Sequence, residues 1–219
     1  MSTRLSIFPL PGVILFPGLQ LPLHIFEPRY RALVGDALVR DRRIAMIQPH
    51  LDRLKAMGCT VCIACETSNA IHGNDNAPLH DSPALAPEQW AEFGAKVEAV
   101  AAHCAAEGLP LVYHHHMGTI VETPAEIDQF MEVTGPATRL LFDAGHFYFG
   151  SNGADPAPYL QKHIDRVSHF HAKNIRPDVV AKVRAEGWSF LKGVVEGAFT
   201  VPGDQEGGID FAPLLQRLA

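Results

Sequence analysis

The chain has 219 residues, 47% of them hydrophobic and 19% charged, a balance that excludes a disordered or fibrous polypeptide and allows one or two domains. Lys and Arg number 18 against 24 Asp and Glu, and the net charge of -6 argues against nucleic acid as the main partner, because phosphate binding wants a basic face. No run reaches the roughly 18–20 apolar residues that cross a bilayer, and the Pro-broken N-terminus lacks an Ala-x-Ala-like cleavage site, so no membrane partner is expected and the thiols of a cytoplasmic chain should be reduced.

Residues 1–50 have their own character. Phe8-Pro-Leu-Pro-Gly-Val-Ile-Leu-Phe-Pro-Gly18 alternates apolar runs with Pro and Gly and predicts short strands joined by sharp turns. A helix is expected after Pro28, to about Arg40, and a strand over residues 42–48. From Leu51 the register changes. A helix end at residues 51–57 closes on Gly58, and a strand follows over 59–66. A polar loop covers 69–87, and Pro87-Glu-Gln-Trp90 opens a helix that ends near Gly108. Residues 111–116 predict a strand. Thr123-Pro-Ala-Glu126 is a capping box that starts a helix to about Thr134. Strands at 139–143 and 167–171 flank a short helix at 157–163. Helical pattern then runs over 177–199, broken at Gly187, and again over 211–218. Alternation at this spacing means parallel βα units.

Cys59, Cys62 and Cys65 have a spacing similar to that of an iron–sulfur run, but on a strand Cys62 faces opposite to the other two. They are expected to be small buried hydrophobes, like the distant Cys104.

His is the compositional outlier, with 12 residues, and it clusters at strand ends. The predicted strands end in Glu66, in His114-His115-His116, in Asp143 with His146 three residues on, and in His169-Phe-His171-Ala-Lys173. Period two puts His114 and His116 on one face with His115 opposite, and it pairs His169 with His171. Polar groups at the carboxyl ends of successive parallel strands are how a (β/α) barrel builds its site. His, Asp and Glu together suit a divalent cation such as Mn, Co, Zn or Mg. A cation beside imidazoles and a lysine suits proton abstraction next to a carbonyl. Val201-Pro-Gly-Asp204 reads as a tight turn near these ends, a substrate contact or a plain loop.

The matching stretches from about 51 to 219 are Leu54-Lys-Ala-Met-Gly58, Glu66-Thr-Ser-Asn-Ala-Ile71, Tyr113-His-His-His-Met-Gly-Thr119, Leu141-Phe-Asp-Ala-Gly-His146, His169-Phe-His-Ala-Lys173, Trp188-Ser-Phe190 and Phe199-Thr-Val-Pro-Gly-Asp204. On them this part of the chain resembles the inosose dehydratases of the xylose-isomerase-like TIM barrel superfamily. The resemblance implies an α/β fold, a partial (β/α) barrel over 51–219. It also implies metal-dependent dehydration of 2-keto-myo-inositol, a small polyhydroxylated keto-substrate, through an enolate. Mn or Co is the expected metal, with Mg or Zn as alternatives. Asp143 and His171 fall on family metal ligands. His114, His116 and Lys173 are placed at the acid/base chemistry, and Glu66 and His146 toward substrate. Asn174 stands where the family often has Asp. The family's last glutamate ligand is expected beyond residue 219.

Residues 1–49 resemble the opening of the Lon protease N-terminal domain, on Phe8 to Gly18, Leu21-Pro-Leu-His-Ile-Phe-Glu-Pro-Arg-Tyr-Arg31 and Asp41-Arg-Arg-Ile44. This implies a short, incomplete β-rich segment ahead of an incomplete barrel. The open sheet edges of a partial barrel invite a homo-oligomer. Two alternatives remain at this point. One is a sugar isomerase or epimerase of the same superfamily, and the other is a non-catalytic polypeptide-binding module led by the Lon-like segment.

Overall fold

The computed structural model describes residues 6–7, 44–45 and 47–219. Strands β1 (Ser6–Ile7) and β2 (Ile44–Ala45) pair in parallel, and helix α1 (Ile47–Ala56) follows. The segment resembling the Lon domain, with the helix expected after Pro28, lies almost wholly outside the described residues.

The chemistry-bearing strands form one four-stranded parallel sheet in chain order: β3 (Cys62–Ala64), β4 (Leu111–His114), β5 (Arg139–Asp143) and β6 (Val167–His171). Each strand pairs with the next in sequence, so the sheet winds in one direction. That is the wall of a (β/α) barrel, whereas a doubly wound sheet reverses at a switch point. The crossovers carry α2 (Trp90–Ala106), α3 (Pro124–Val133), and the pair α4 (Ala144–Gly150) and α5 (Pro156–His163). Beyond β6 come β7 (Asn174–Ile175), α6 (Pro177–Ala185), α7 (Phe190–Val195), β8 (Phe199–Thr200) and α8 (Ala212–Leu218). Strands β7 and β8 pair antiparallel.

Leu111, Val112 and Tyr113 of β4 and Leu140, Leu141 and Phe142 of β5 are all fully buried. Both faces of these two central strands are covered, which is why they read as continuous apolar runs without alternation, whereas Ile63 of β3 is exposed. Phe142 packs among Phe147, Tyr159 and Phe170 at ring centroid distances of 5.4, 6.3 and 6.4 Å. Burying such a ring contributes roughly 1.5–3 kcal/mol.

The turn from α3 into β5 is clamped from two sides. Glu98 of α2 accepts from Ala137 N at 2.9 Å, Thr138 N at 3.0 Å and Thr138 Oγ1 at 2.6 Å. Arg166, just ahead of β6, donates to the carbonyls of Met131, Thr134, Gly135 and Thr138. It thereby satisfies carbonyls that the end of α3 leaves open. The expected capping box is present, with Glu126 N donating to Thr123 Oγ1 at 3.4 Å and Thr123 N to Glu126 Oε2 at 2.8 Å.

Four elements depart from expectation. The strand expected over 59–66 is only Cys62–Ala64, and β4 ends at His114, so His115 and His116 lie past the sheet. Helix α4 begins directly at the end of β5 with no loop between. The helical stretch expected over 177–199 ends at Val195 and yields β8. Cys62 and Cys104 are buried free thiols, as expected, and Cys59 and Cys65 are partly covered. No helix of the described residues is long and apolar enough to cross a membrane.

Gly94 fixes the spacing of α2 and α3, because a Cβ there would lie 2.4 Å from the carbonyl oxygen of Val133. Alanine is the better helix former by about 1 kcal/mol, but a backbone oxygen cannot swing aside. Overpacking of this kind costs about 1–3 kcal/mol. Gly94→Ala should therefore lower the melting temperature by roughly 2–8 °C in a scanning-calorimetry comparison. An unchanged or raised melting temperature would show that the helices separate freely.

Candidate active site

The carboxyl ends of β4, β5 and β6 converge on the side chain of Asp143, which is fully buried. As the last residue of β5 and the N-cap of α4, Asp143 serves two elements. Its Oδ1 accepts from His146 N at 3.0 Å, as helix capping requires. That leaves Oδ2 for the site. Lys173 Nζ donates to Oδ2 at 2.5 Å and His171 Nδ1 at 3.1 Å, while His114 Nε2 stands 3.6 Å away. The close approach of Lys173 needs Gly145, since a Cβ at that position would lie 2.9 Å from Lys173 Cβ. The run Asp-Ala-Gly-His thus has a physical reading: cap, approach, and an imidazole one turn on.

The imidazoles form a connected shell. His114 and His171 ring centroids are 5.0 Å apart, His114 and His146 5.3 Å, and His116 and His146 3.9 Å. Phe190 and Phe199 close one side, at 5.8 and 5.0 Å from the His146 ring, and Lys173 Nζ lies 6.0 Å from the Phe199 centroid. His115 points the other way, packing on Phe142 at 5.7 Å.

Of the residues expected at the site, His114, His116, Asp143, His146, His171 and Lys173 are brought together. Glu66 is buried and its Oε1 accepts from Ser68 N at 2.6 Å; it is not among the three residues whose metal-donor atoms converge at Asp143. His169 bonds the carbonyl of its neighbour Ser168 and takes no part. His72, in the polar loop after β3, takes the position sequence reasoning missed. Its ring centroid is 5.0 Å from that of His116. The loop is pinned by Ile71 N donating to Gly118 O at 2.9 Å, and Gly118 (φ +75°) has no room for a Cβ against the backbone of His72. A histidine in an Asn- and Asp-rich loop beyond a strand end was the only available signal.

Burial pushes the pKa of His114 down to about 3 and those of His115 and His116 to about 4. It lowers His146 well below the ordinary value too. All four imidazoles are therefore neutral at neutral pH, and their bonds identify the tautomers. Nδ1 of His114 and of His116 donates to the carbonyls of His115 and Met117, so each Nε2 keeps its lone pair. His146 Nδ1 accepts from Met117 N at 3.3 Å, which leaves the proton on Nε2. Burial alone would raise the pKa of Asp143. The hydrogen bond from His171 and the Lys173 charge overcome it and hold the carboxylate ionised, far below its usual range.

Donor atoms of His114, Asp143 and His146 lie within 4.8 Å of one another, a candidate site for a divalent cation. His114 and Asp143 suit such an ion, whereas His146 bonds the Met117 N–H through Nδ1 and would have to give up its Nε2 proton to join them. An ion about 2.1 Å from each ligand spans the 3.6 Å between His114 Nε2, which has a free lone pair, and Asp143 Oδ2, where it would displace a hydrogen bond from Lys173 or His171. His171 stands beside the same oxygen.

These shifts set a pH dependence of stability. Between about pH 6.5 and 4 the unfolded chain takes up protons on histidines that the native state keeps neutral, so stability falls as pH falls. Asp143 adds stability above the unfolded carboxylate range, near pH 4, that disappears only below it. In chelator, the melting temperature should drop by on the order of 10 °C from pH 7 to pH 5. A flat profile across that window would contradict the neutral, buried state of these rings.

Residues 17–219 match the family described as xylose isomerase-like TIM barrel. The chain is 41% identical over 179 residues to the rhizopine catabolism protein MocC of Rhizobium meliloti, covering 82% of this chain and 54% of that protein. It is 43% identical over 171 residues to an inosose dehydratase of Histophilus somni, covering 77% and 56%. The chain therefore spans a little over half the length of these relatives. Among solved structures, a D-tagatose 3-epimerase-like protein aligns with a TM-score of 0.51 at 15% identity, over 97% of this chain and 65% of that one. A xylose isomerase-like TIM barrel/4-hydroxyphenylpyruvate dioxygenase fusion protein aligns with a TM-score of 0.53 at 14% identity, over 88% and 25%. Likeness at that identity bears on the fold alone. The family match takes in residues 17–49, and nothing in these comparisons supports a Lon-type segment there. With a sheet wound in one direction, a site at its strand ends and a match over most of its length, the chain belongs to the xylose isomerase-like TIM barrel family.

Proposed function

We propose that the chain carries the acid/base and metal-holding part of a dehydratase acting on a small polyhydroxylated ketone of the inosose class. The observation that carries this reading is the Asp143 carboxylate, with one oxygen locked into a helix cap and the other met by Lys173, His171 and His114. The identity to inosose dehydratases supports the substrate class.

Loss of water from a hydroxy ketone needs three things. A base removes the proton next to the carbonyl, the electron pair passes into an enolate, and the neighbouring hydroxyl leaves after gaining a proton. His116 suits the base, being neutral with a free Nε2 lone pair. Lys173 suits the acid, since its ammonium is held at Asp143 within the same cluster. His146, with its proton on Nε2, suits donation to a substrate oxygen. His72 extends the imidazole wall beyond His116 toward further hydroxyls. Phe190 and Phe199 offer a CH-rich ring an apolar face and exclude water, which strengthens the charges inside. Asp143 and His114, with His171 adjacent, would hold a divalent cation such as Mn or Co, which when bound would supply a positive centre to polarise the ketone.

Two variants of the full chain separate metal holding from proton transfer. Asp143→Asn should weaken Mn binding at least about tenfold by titration calorimetry, and water loss from inosose should fall with it. Lys173→Met should bind Mn as well as the parent or better, because a competing cation beside Asp143 is gone, yet lose about 10²–10⁴ in rate. If Asp143→Asn binds Mn normally, the metal assignment fails, and if Lys173→Met turns over normally, the acid assignment fails. Keto-sugar interconversion in place of water loss would move the reading to an isomerase or epimerase.

A further inference from the structure

His115 faces away from the site and none of the chemistry above uses it. It is fully buried, and its two ring nitrogens have opposite fates. Nε2 accepts from the backbone N–H of Asp143 at 3.1 Å. Nδ1 is buried and has no hydrogen-bond partner among the described residues. An accepting Nε2 carries no hydrogen, so in the neutral ring the proton sits on the stranded Nδ1.

This is a poor arrangement for folding alone. A phenylalanine would fill the same volume against Phe142 without a stranded ring nitrogen, though it would leave the Asp143 N–H without this acceptor. What the imidazole supplies and a phenyl ring cannot is a fixed acceptor for one particular amide. That amide belongs to the residue whose Oδ1 caps His146 N and whose Oδ2 meets Lys173 and His171. At Asp143 the chain passes from β5 straight into α4, so its backbone has to serve strand and helix at once.

We infer that His115 is a positioning residue for the cation site, holding the Asp143 backbone through its Nε2 so that the carboxylate divides its oxygens between helix cap and site. The inference rests on the metal-holding role proposed for Asp143. It predicts that metal affinity and fold stability respond differently to substitution here, whereas a residue that only fills the core would move both together.

The experiment uses the full chain, with Mn as the probe. Each variant is followed by titration calorimetry and by a thermal melt in chelator. His115→Phe should still melt cooperatively, a few degrees below the parent because the Asp143 N–H loses its acceptor, while binding Mn about 10–100-fold more weakly, the range for partners that orient metal ligands. His115→Gln, which presents a carbonyl oxygen where Nε2 sits, should restore binding to within about threefold. Parent-like Mn affinity in His115→Phe overturns the inference. So does a His115→Gln variant that melts like the parent but binds as weakly as the phenylalanine variant. If His115→Phe does not fold, His115→Gln decides by the same criterion, against the parent. Nitrogen NMR of the unsubstituted chain gives a readout independent of metal: His115 should carry its proton on Nδ1, with Nε2 bonded to the Asp143 amide. The opposite tautomer overturns the inference. Failure of the unsubstituted chain to bind Mn sinks the proposed metal role instead, and the tautomer still tests the contact.

Discussion

The site depends on a division of labour within one carboxylate. Asp143 ends a strand and begins a helix, and the two tasks fall to its two oxygens. Because Oδ1 is committed to His146 N, the carboxylate plane is set by backbone geometry and not by the flexible side chains around it. Oδ2 is then presented at one place, where three separate segments reach it: the end of β4 through His114, the end of β6 through His171, and the turn beyond through Lys173. A mobile carboxylate would follow the lysine. A fixed one makes the lysine and imidazoles come to it, which is the pre-organisation that acid/base and metal chemistry need.

Burial gives the surrounding histidines their usefulness. A cluster of imidazoles in water would share charge and repel one another as pH falls. Here desolvation keeps His114, His116 and His146 neutral, and the carbonyls of His115 and Met117 accept hydrogen bonds from Nδ1 of His114 and His116. The lone pairs that remain on His114 and His116 are on Nε2, the far end of each ring, while His146 carries its proton there. The low dielectric that suppresses protonation also strengthens the contact between Lys173 and Asp143, so the same water exclusion serves both effects.

Much of this could be read from the sequence, for a stated reason. Two-residue periodicity separates Tyr113 from His114 and Phe142 from Asp143 without any knowledge of the fold, and the expected opposition of His115 to its neighbours is found even though β4 ends at His114. The capping box at Thr123 was legible because its partners lie three residues apart. Glu66 was not, because its orientation depends on the chain leaving extended geometry before Ser68, and strand periodicity carries no information past the strand's end. His72 was hidden for the same reason: its place is set by the packing of Gly118 on its backbone, a contact between loops 46 residues apart in number (118 − 72). The missing signal for α4 is subtler. Asp143 was recognised as a strand end, but the same residue type is an N-cap, and the sequence does not say that one aspartate plays both parts.

The loop of Val201-Pro-Gly-Asp204 shows how a specific motif can act one step removed from the chemistry. Val201 is 67% exposed, so the tip is not packed into the site. Asp204 turns inward to Arg176, its Oδ2 2.5 Å from Arg176 Nη2, and the same guanidinium donates to Thr200 Oγ1 at 3.2 Å and Gly197 O at 3.0 Å. Arg176 thereby ties both ends of β8. What β8 presents inward is Phe199, whose ring lies 5.0 Å from that of His146 and within reach of Lys173. The acid of the motif is thus an anchor, and the residue it anchors is the aromatic wall of the site. The wall and the carboxylate are held by the same device: a charged side chain spends its hydrogen bonds on backbone and loop, and the group next to it is left correctly placed for a ligand.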